Sequence, residues 1–230
     1  MPFENRILAA LPDGDRKGLF PYLEQVSLRA GDVLFAPGDR VRQIYFPITS
    51  LVSMLAMMED GTTVEAGVVG NEGVVGISAI LGAETSSMQA LVQVAGDALS
   101  IPAETFMAEF KRGGQLQSLV LRHTHTLFTL VSQTAACNRL HTVEERLARW
   151  MLTTQDRVQS DEFLLTQEFI ARMLGTRRSG VTVAAGILQS AGLISYRRGR
   201  ISILNREKLE AASCECYRIV KAEYDRYLGA

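Results

Sequence analysis

Residues 166–193 read TQEFIARMLGTRRSGVTVAAGILQSAGL, and this stretch decides the fold of the C-terminal part of the chain. Two short helical patterns meet at Gly175. In the first, Phe169, Ile170, Met173 and Leu174 recur at helical spacing. Thr166 stands where an N-cap is expected, and Glu168 falls in the first turn, near the positive end of the helix dipole. In the second, Val181, Ala184, Ala185 and Leu188 form a small-residue apolar face. This is the layout of a helix-turn-helix. Ala171 leaves room for the second helix to cross the first, Gly175 can take the positive φ of the tight turn, and Val181 fills the angle between the helices.

Arg177 and Arg178 open the second helix, followed by Ser179, Thr182 and Val183. A recognition helix presents its N-terminal residues to base edges in the major groove. Downstream, ISYRRGRISIL places two β-prone runs around Arg197, Arg198, Gly199 and Arg200, the pattern of a hairpin wing with an arginine tip. Between residues 169 and 206 lie Arg172, Arg177, Arg178, Arg197, Arg198, Arg200 and Arg206, with no acidic residue. Against a whole-chain net charge of −1, that segment is a local basic face suited to phosphate contacts. The expected DNA contacts are Gln167, Arg177, Arg178, Ser179, Thr182, Val183, Arg197, Arg198 and Arg200. Any one of these features is weak alone; a bare pair of small helices with solvated arginines would not combine them all.

The chain of 230 residues has room for two ordinary domains. Its composition is that of a soluble globular protein, 47% hydrophobic and 21% charged. The uncharged run over residues 43–58 is too short to span a membrane and contains Pro47, Thr49, Ser50 and Ser53. Residues 1–18 lack a basic segment followed by an apolar run, so no signal peptide is expected. Three cysteines, Cys137, Cys214 and Cys216, suit a reducing cytoplasm.

Upstream of the reader, residues 3–24 read as short helices broken at Pro12 and Pro21. From about residue 27 to 102, glycines recur at positions 31, 38, 61, 67, 70, 73, 76, 82 and 96. β-prone runs beginning at Asp32, Gln43, Ser50, Thr63 and Gln89 lie between them, which predicts a small antiparallel barrel or roll. Residues 102–110 are a short helix. Residues 115–138 carry no Pro or Gly and predict a helix of roughly 35 Å. Leu116, Leu119, Val120, His123, Leu127, Leu130, Thr134 and Cys137 lie near a 3-4 repeat on it, the pattern of a partly polar dimer seam; an ordinary core helix is the alternative. Residues 141–158 form another helix, residues 159–162 a polar turn, and Phe163 begins a short strand. Asn205 caps a helix over residues 206–212, and residues 213–228 end the chain as a charged, Tyr-rich helix.

A roll, a long helix and a winged helix-turn-helix in that order resemble the Crp/Fnr family, the cyclic-AMP receptor protein and its relatives. The likeness covers nearly the whole chain and is most specific in LTQEFIARMLGTRRSGVTVAAGILQSAGLI and RAGDVLFAPGD. It implies an α+β fold. Residues 1–113 would form a jelly-roll-like double-stranded β-helix of the cyclic-nucleotide-binding type with flanking helices. Residues 114–140 would form the dimerisation helix, and residues 141–230 a winged helix-turn-helix reader with a C-terminal helix. It further implies a homodimeric, cytoplasmic transcription regulator that reads a two-fold site on double-stranded DNA and contacts RNA polymerase. Family members often present Arg, Glu and Arg on the recognition helix. Here these positions hold Arg178, Ser179 and Val183, so a different half-site is expected: Arg178 for a guanine, Val183 for a thymine methyl.

The effector corner departs from the family pattern. The candidate pocket residues are Gly70, Glu72, Gly73, Met88 and Gln89. Glu72 precedes Gly73 instead of following a glycine directly, and Met88 or a neighbour takes the place of the phosphate-binding arginine. No arginine or lysine occurs between residues 74 and 103, and burying a cyclic phosphate without a cation is costly. Cyclic AMP is therefore not the expected effector. No iron–sulfur cluster or other metal is expected either. No cysteine precedes Cys137, Cys214 and Cys216 would diverge on a helix, and His123 and His125 are two residues apart on another. The three thiols read as structural.

Motifs of catalysis are missing: there is no Gly-Lys-Ser/Thr phosphate loop, no Gly-x-Ser-x-Gly elbow and no His-Glu-x-x-His. An enzyme is therefore not expected. Two regulators of one fold remain open on the sequence. One answers an effector in the roll; the other is ligand-free and controlled by its abundance or by a protein partner.

Overall fold

The structure, a computed structural model, describes residues 5–158 and 160–228. The expected turn at residues 159–162 thus lies partly outside the described residues, as do residues 3 and 4 of the first helical stretch.

Two short helices, α1 (Arg6–Ala9) and α2 (Asp13–Leu19), precede the roll. Asn5 caps α1, accepting from the backbone N–H of Ile7 and Leu8. Its amide also donates to the carbonyls of Pro47 and Gly73, so one buried side chain ties the entry helix to the roll.

The roll consists of two antiparallel sheets. Strands β1 (Glu24–Leu28), β3 (Gln43–Pro47) and β7 (Gly96–Pro102) form one, in the order β1-β7-β3. Strands β2 (Val33–Phe35), β4 (Leu51–Met57), β5 (Thr63–Val69) and β6 (Gln89–Val94) form the other, in the order β2-β6-β4-β5. Ile44, Phe46, Leu51, Val52 and Ile101 fill the interior with Phe106 of α4 (Ala103–Lys111). Burying such side chains contributes about 1.5–3 kcal/mol each. A short helix, α3 (Ile77–Ile80), lies between β5 and β6. The five anticipated strands are present; β1 and β7 are additions. β7 is the central strand of its sheet, yet it opens on Gly96 and Asp97, which read as a turn.

Helix α5 (Gly114–Leu140) is entered through Gly113 and Gly114, both of positive φ, and Asp15 caps it by accepting from the Leu116 N–H. Its length of 27 residues corresponds to about 40 Å. The residues of the expected seam lie on the face of α5 that turns toward its own chain. Leu116, Leu119, Val120, His123, Leu130, Thr134 and Cys137 are buried within the same chain, and Leu127 is half-buried against the roll. A face already covered by its own protein has little left to offer a second copy. The outward stripe is instead Leu121, Thr124, Phe128, Val131 and Ala135, with Phe128 71% exposed.

The reader begins with α6 (Val143–Val158), opened by a capping box in which Thr142 and Glu145 exchange hydrogen bonds. It continues through β8 (Glu162–Leu164), α7 (Gln167–Leu174), α8 (Arg178–Ser190), β9 (Ile194–Arg197), β10 (Arg200–Ile203) and α9 (Arg206–Ala212). Asn205 caps α9 through the Lys208 N–H, as the sequence predicts. The last helix, α10 (Cys216–Leu228), returns along α5 and buries Val220 and Tyr224 with the core of the roll. Among the described residues no helix is long and apolar enough to cross a membrane.

Candidate nucleic-acid interface

The geometry of α7 and α8 follows from the residues that mark their ends. Thr166 accepts from the Phe169 N–H at 3.1 Å, closing the start of α7. Gly175 ends it at φ 57°, a left-handed conformation that favours glycine, and its α-carbon also lies against Val64 of β5. Val181, Ala184, Ala185 and Leu188 of α8 are buried against Ile170, Ala171, Met173 and Leu174 of α7 and against Leu147 and Met151 of α6. That packing turns the other face of α8 outward.

On the outward face Arg177, Arg178, Ser179, Thr182 and Val183 are all exposed, Val183 by 63%. Thr182 donates to Gln167 Oε1 at 2.8 Å, so the two helices share a polar contact at the groove-facing edge. The wing is a two-residue hairpin. Arg198 at φ 50° and Gly199 at φ 80° take the two positive-φ positions of a tight reversed turn between β9 and β10. Arg198 is the one non-glycine residue with positive φ among those described. Thr166, Gln167, Arg178, Tyr196 and Arg198 line one open groove between the helix-turn-helix and the wing.

The seven arginines of the segment divide into three sets. Arg177, Arg178, Arg197 and Arg198 are exposed, with no salt bridge among the described residues. Arg200 pairs with Glu162 at 2.8 Å, on the neighbouring strand of the wing sheet. Arg172, exposed, and Arg206, half-buried, are each engaged by partners within the chain. Arg172 donates to Thr63 of the roll, and Arg206 is held by Asp156 and Glu210.

The expected effector corner separates into two places. Met88 lines a pocket of about 200 Å³ between the roll and α5, with Met54, Val69, Ile77, Leu127 and Val131. No charged side chain lines it; Ser78, Ser86 and Ser87 supply its polarity. Gly70, Glu72, Gly73 and Gln89 do not line this pocket. Gly70 and Gly73 allow close approach instead: an added Cβ would stand 2.8 Å from Arg157 Cβ and 2.3 Å from His123 Cε1. Gln89 is half-buried at the start of β6.

Glu72 belongs to a buried ionic cluster that reaches into the reader. Arg157, in the last turn of α6, donates to it through Nε at 2.7 Å and lies 4.7 Å from the centre of the Tyr224 ring. Burial opposes the charge on Arg157, and Glu72 with Tyr224 more than reverses that, raising its pKa. His123 accepts from the Val74 N–H at 3.3 Å, and burial lowers its pKa to about 4, so the ring is neutral. A second contact crosses the same boundary. Trp150 of α6 donates to Glu65 of β5 at 3.1 Å, and Leu55 and Leu91 of the roll join the core of the reader.

The thiols also depart from expectation. Helix α9 stops at Ala212, Ser213 is extended, and Cys214 precedes the start of α10 at Cys216. Cys214 and Cys216 are therefore not on a common helix, and both lie beside Cys137. The readable signal was the spacing of Cys137 and His141, one helical turn apart.

Two family models match the chain. The cyclic nucleotide-binding domain matches residues 25–112, and the Crp-like helix-turn-helix domain matches residues 145–212. A solved Crp/Fnr-family transcriptional regulator from Eubacterium rectale superimposes with a TM-score of 0.69 at 18% identity, over 90% of this chain and 96% of that one. FixK2 from Bradyrhizobium japonicum gives a TM-score of 0.71 at 15% identity, over 84% and 98%. The c-di-GMP responsive global regulator CLP from Xanthomonas campestris gives 0.68 at 16% identity, over 84% and 99%. At these identities the likeness establishes the fold. No curated protein matches the sequence.

Proposed function

Because the chain belongs, by its two domains and their order, to the Crp/Fnr family, we propose that it is a homodimeric regulator that reads a two-fold DNA site through α8 and the wing. One observation carries this reading: Arg178, Ser179, Thr182 and Val183 are exposed on one face of α8, beside a wing tip that presents Arg198. In the major groove, Arg178 pairs with a guanine, Val183 meets a thymine methyl, and Arg177, Arg197 and Arg198 hold phosphates. Arg200 contributes less, because Glu162 already neutralises it.

The dimer forms through the outward stripe of α5. Leu121 and Phe128 are large apolar side chains left exposed, 49% and 71%, on the longest helix described. Val131 lies on this stripe and also lines the roll pocket, so a second copy of α5 would rest beside that pocket. The effector is small, uncharged and largely apolar, as the lining of that pocket supports. Its binding shifts the population between dimer geometries only if it binds one of them more tightly. Control by abundance or a protein partner, with no effector, is the second reading. It is favoured by the internal pairing of Glu72 with Arg157, which leaves that corner of the roll committed to the reader.

The test is selection from a randomised DNA pool by the purified chain at moderate salt. Enrichment of a two-fold site with half-sites about one helical turn apart supports the reading. Salt-sensitive binding with no enriched sequence, repeated with the dimer verified and a library of apolar small molecules added, would sink it.

A further inference from the structure

Four side chains that neither the roll pocket nor the DNA face uses converge where α5 ends. Cys137 lies in the last turn of α5, and His141 is its C-cap. Cys214 comes from the connection between α9 and α10, and Cys216 is the first residue of α10. One potential ligand atom from each lies within 4.8 Å of all the others. We propose that Cys137, His141, Cys214 and Cys216 form a tetrahedral zinc site that fastens the start of α10 to the hinge between α5 and α6.

The spacing matches the polyhedron. With zinc–sulfur bonds of about 2.3 Å, neighbouring corners of a tetrahedron are about 3.8 Å apart, and somewhat less between sulfur and nitrogen. Cys137 Sγ and Cys214 Sγ are 3.5 Å apart, and Cys216 Sγ is 3.7 Å from His141 Nδ1. A disulfide would need sulfurs at about 2.0 Å. Three thiolates and an imidazole are the donors of structural zinc, and they disfavour calcium and magnesium, which take oxygen ligands.

The surroundings support the same assignment. All three cysteines are buried, so a site there would be closed to solvent ligands. His141 turns Nδ1 to Cys216 and places Nε2 at 3.2 Å from Glu215 Oε2. A carboxylate on the second ring nitrogen is the usual partner of a metal-bound histidine, fixing its tautomer and orientation. Zinc with three thiolates carries a net charge of −1, and a buried cation stands near. Arg149 is only 6% exposed, its Nε has no hydrogen-bond acceptor among the described residues, and its charge acts on Cys137.

This site does not depend on DNA reading, and its test does not use DNA. The full chain is purified under reducing conditions without chelator, and its metal is measured by mass spectrometry. The bound metal is then exchanged for cobalt(II), and the visible spectrum is recorded. One zinc per chain is expected, with thiolate-to-cobalt charge transfer and the intense bands of tetrahedral cobalt. The double variant Cys214→Ser/Cys216→Ser should lose the metal, whereas His141→Cys should keep one cobalt per chain with strengthened charge transfer. Overturning results are a metal-free chain whose added cobalt stays octahedral, an iron–sulfur chromophore in place of zinc, or a Cys137–Cys214 disulfide that survives purification under reducing conditions. Because wild-type protein gives the cobalt spectrum, misfolding of a variant cannot decide the matter.

Discussion

Arg157 Nε donates to Glu72 Oε1 at 2.7 Å, joining the last turn of the first reader helix to the turn after β5 of the roll. Both side chains are almost fully buried, 7% and 5% exposed. Taking two charges out of water is expensive, and only their mutual attraction and further hydrogen bonds offset it. Removing one partner leaves the other charge buried. Arg157→Met should therefore destabilise the chain by about 3–5 kcal/mol in urea unfolding. The double variant Arg157→Met/Glu72→Leu should recover a large part of that loss. Equal losses in the single and double variants would show that packing, not charge, governs this pair.

Glu65 gives the roll–reader boundary a pH dependence. Burial raises its carboxyl from 4.5 to about 7, although Ser53 and Trp150 hydrogen bond to it and Arg149 and Arg157 are near. The folded chain thus keeps a proton that the unfolded chain releases near pH 4.5. Stabilisation by that proton is complete below about pH 4.5 and is lost as pH rises to about 7. Each pH unit between those values is worth about 1.4 kcal/mol. Neutral His123 works in the opposite sense, losing stability as pH falls from 6.5 to about 4, so the wild-type profile mixes the two. The difference between wild type and Glu65→Gln isolates Glu65. The variant should gain steadily on wild type between pH 5 and pH 7 and stop gaining above it. A melting-temperature difference that does not vary with pH would contradict this.

These two pairings were not legible in the sequence, because each joins residues 85 positions apart. The reader was legible, because its determinants are local: a capping threonine, a turn glycine and a 3.6-residue period leave little choice of fold. The roll was legible from glycine spacing except at β1 and at β7, whose Gly96 and Asp97 resemble a turn. On α5 the period was legible, and the face it marks is the one that its own chain covers. That helix is apolar on two faces, and the more regular one packs on its own roll and on α10. Cys214 and Cys216 look like helical neighbours in the sequence, and the break at Ser213 that brings them to Cys137 has no strong sequence signature.

The exposed stripe of α5 predicts the oligomeric state. Leu121 and Phe128 are seven residues apart, on one face, and point away from the roll. A glutamate there costs the folded monomer little, because the site is solvated, but it would place charge in an apolar interface. Phe128→Glu should shift the mass seen by light scattering from two chains to one, with the far-ultraviolet circular dichroism unchanged. Leu119→Glu, a change on the buried face, should instead unfold the chain. A Phe128→Glu protein that remains dimeric would move the interface elsewhere.

Arg178 and Arg198 should separate base reading from phosphate holding. Arg178 opens α8 with its side chain exposed. Arg198 sits at the wing tip, held by its positive φ. Truncating a base-reading arginine removes hydrogen bonds to one base pair, so Arg178→Ala should cost about 1–3 kcal/mol and relax one position of each half-site. A wing arginine on a phosphate acts instead by displacing a counterion from the DNA. Arg198→Ala should weaken all sequences alike and reduce the slope of log affinity against log salt by about 1 for each phosphate no longer neutralised. Fluorescence anisotropy on the selected site and on single-base variants, across a salt series, distinguishes the two. Should Arg198→Ala relax one base while Arg178→Ala lowers only the salt slope, the roles would be exchanged, and the wing rather than α8 would be the sequence reader.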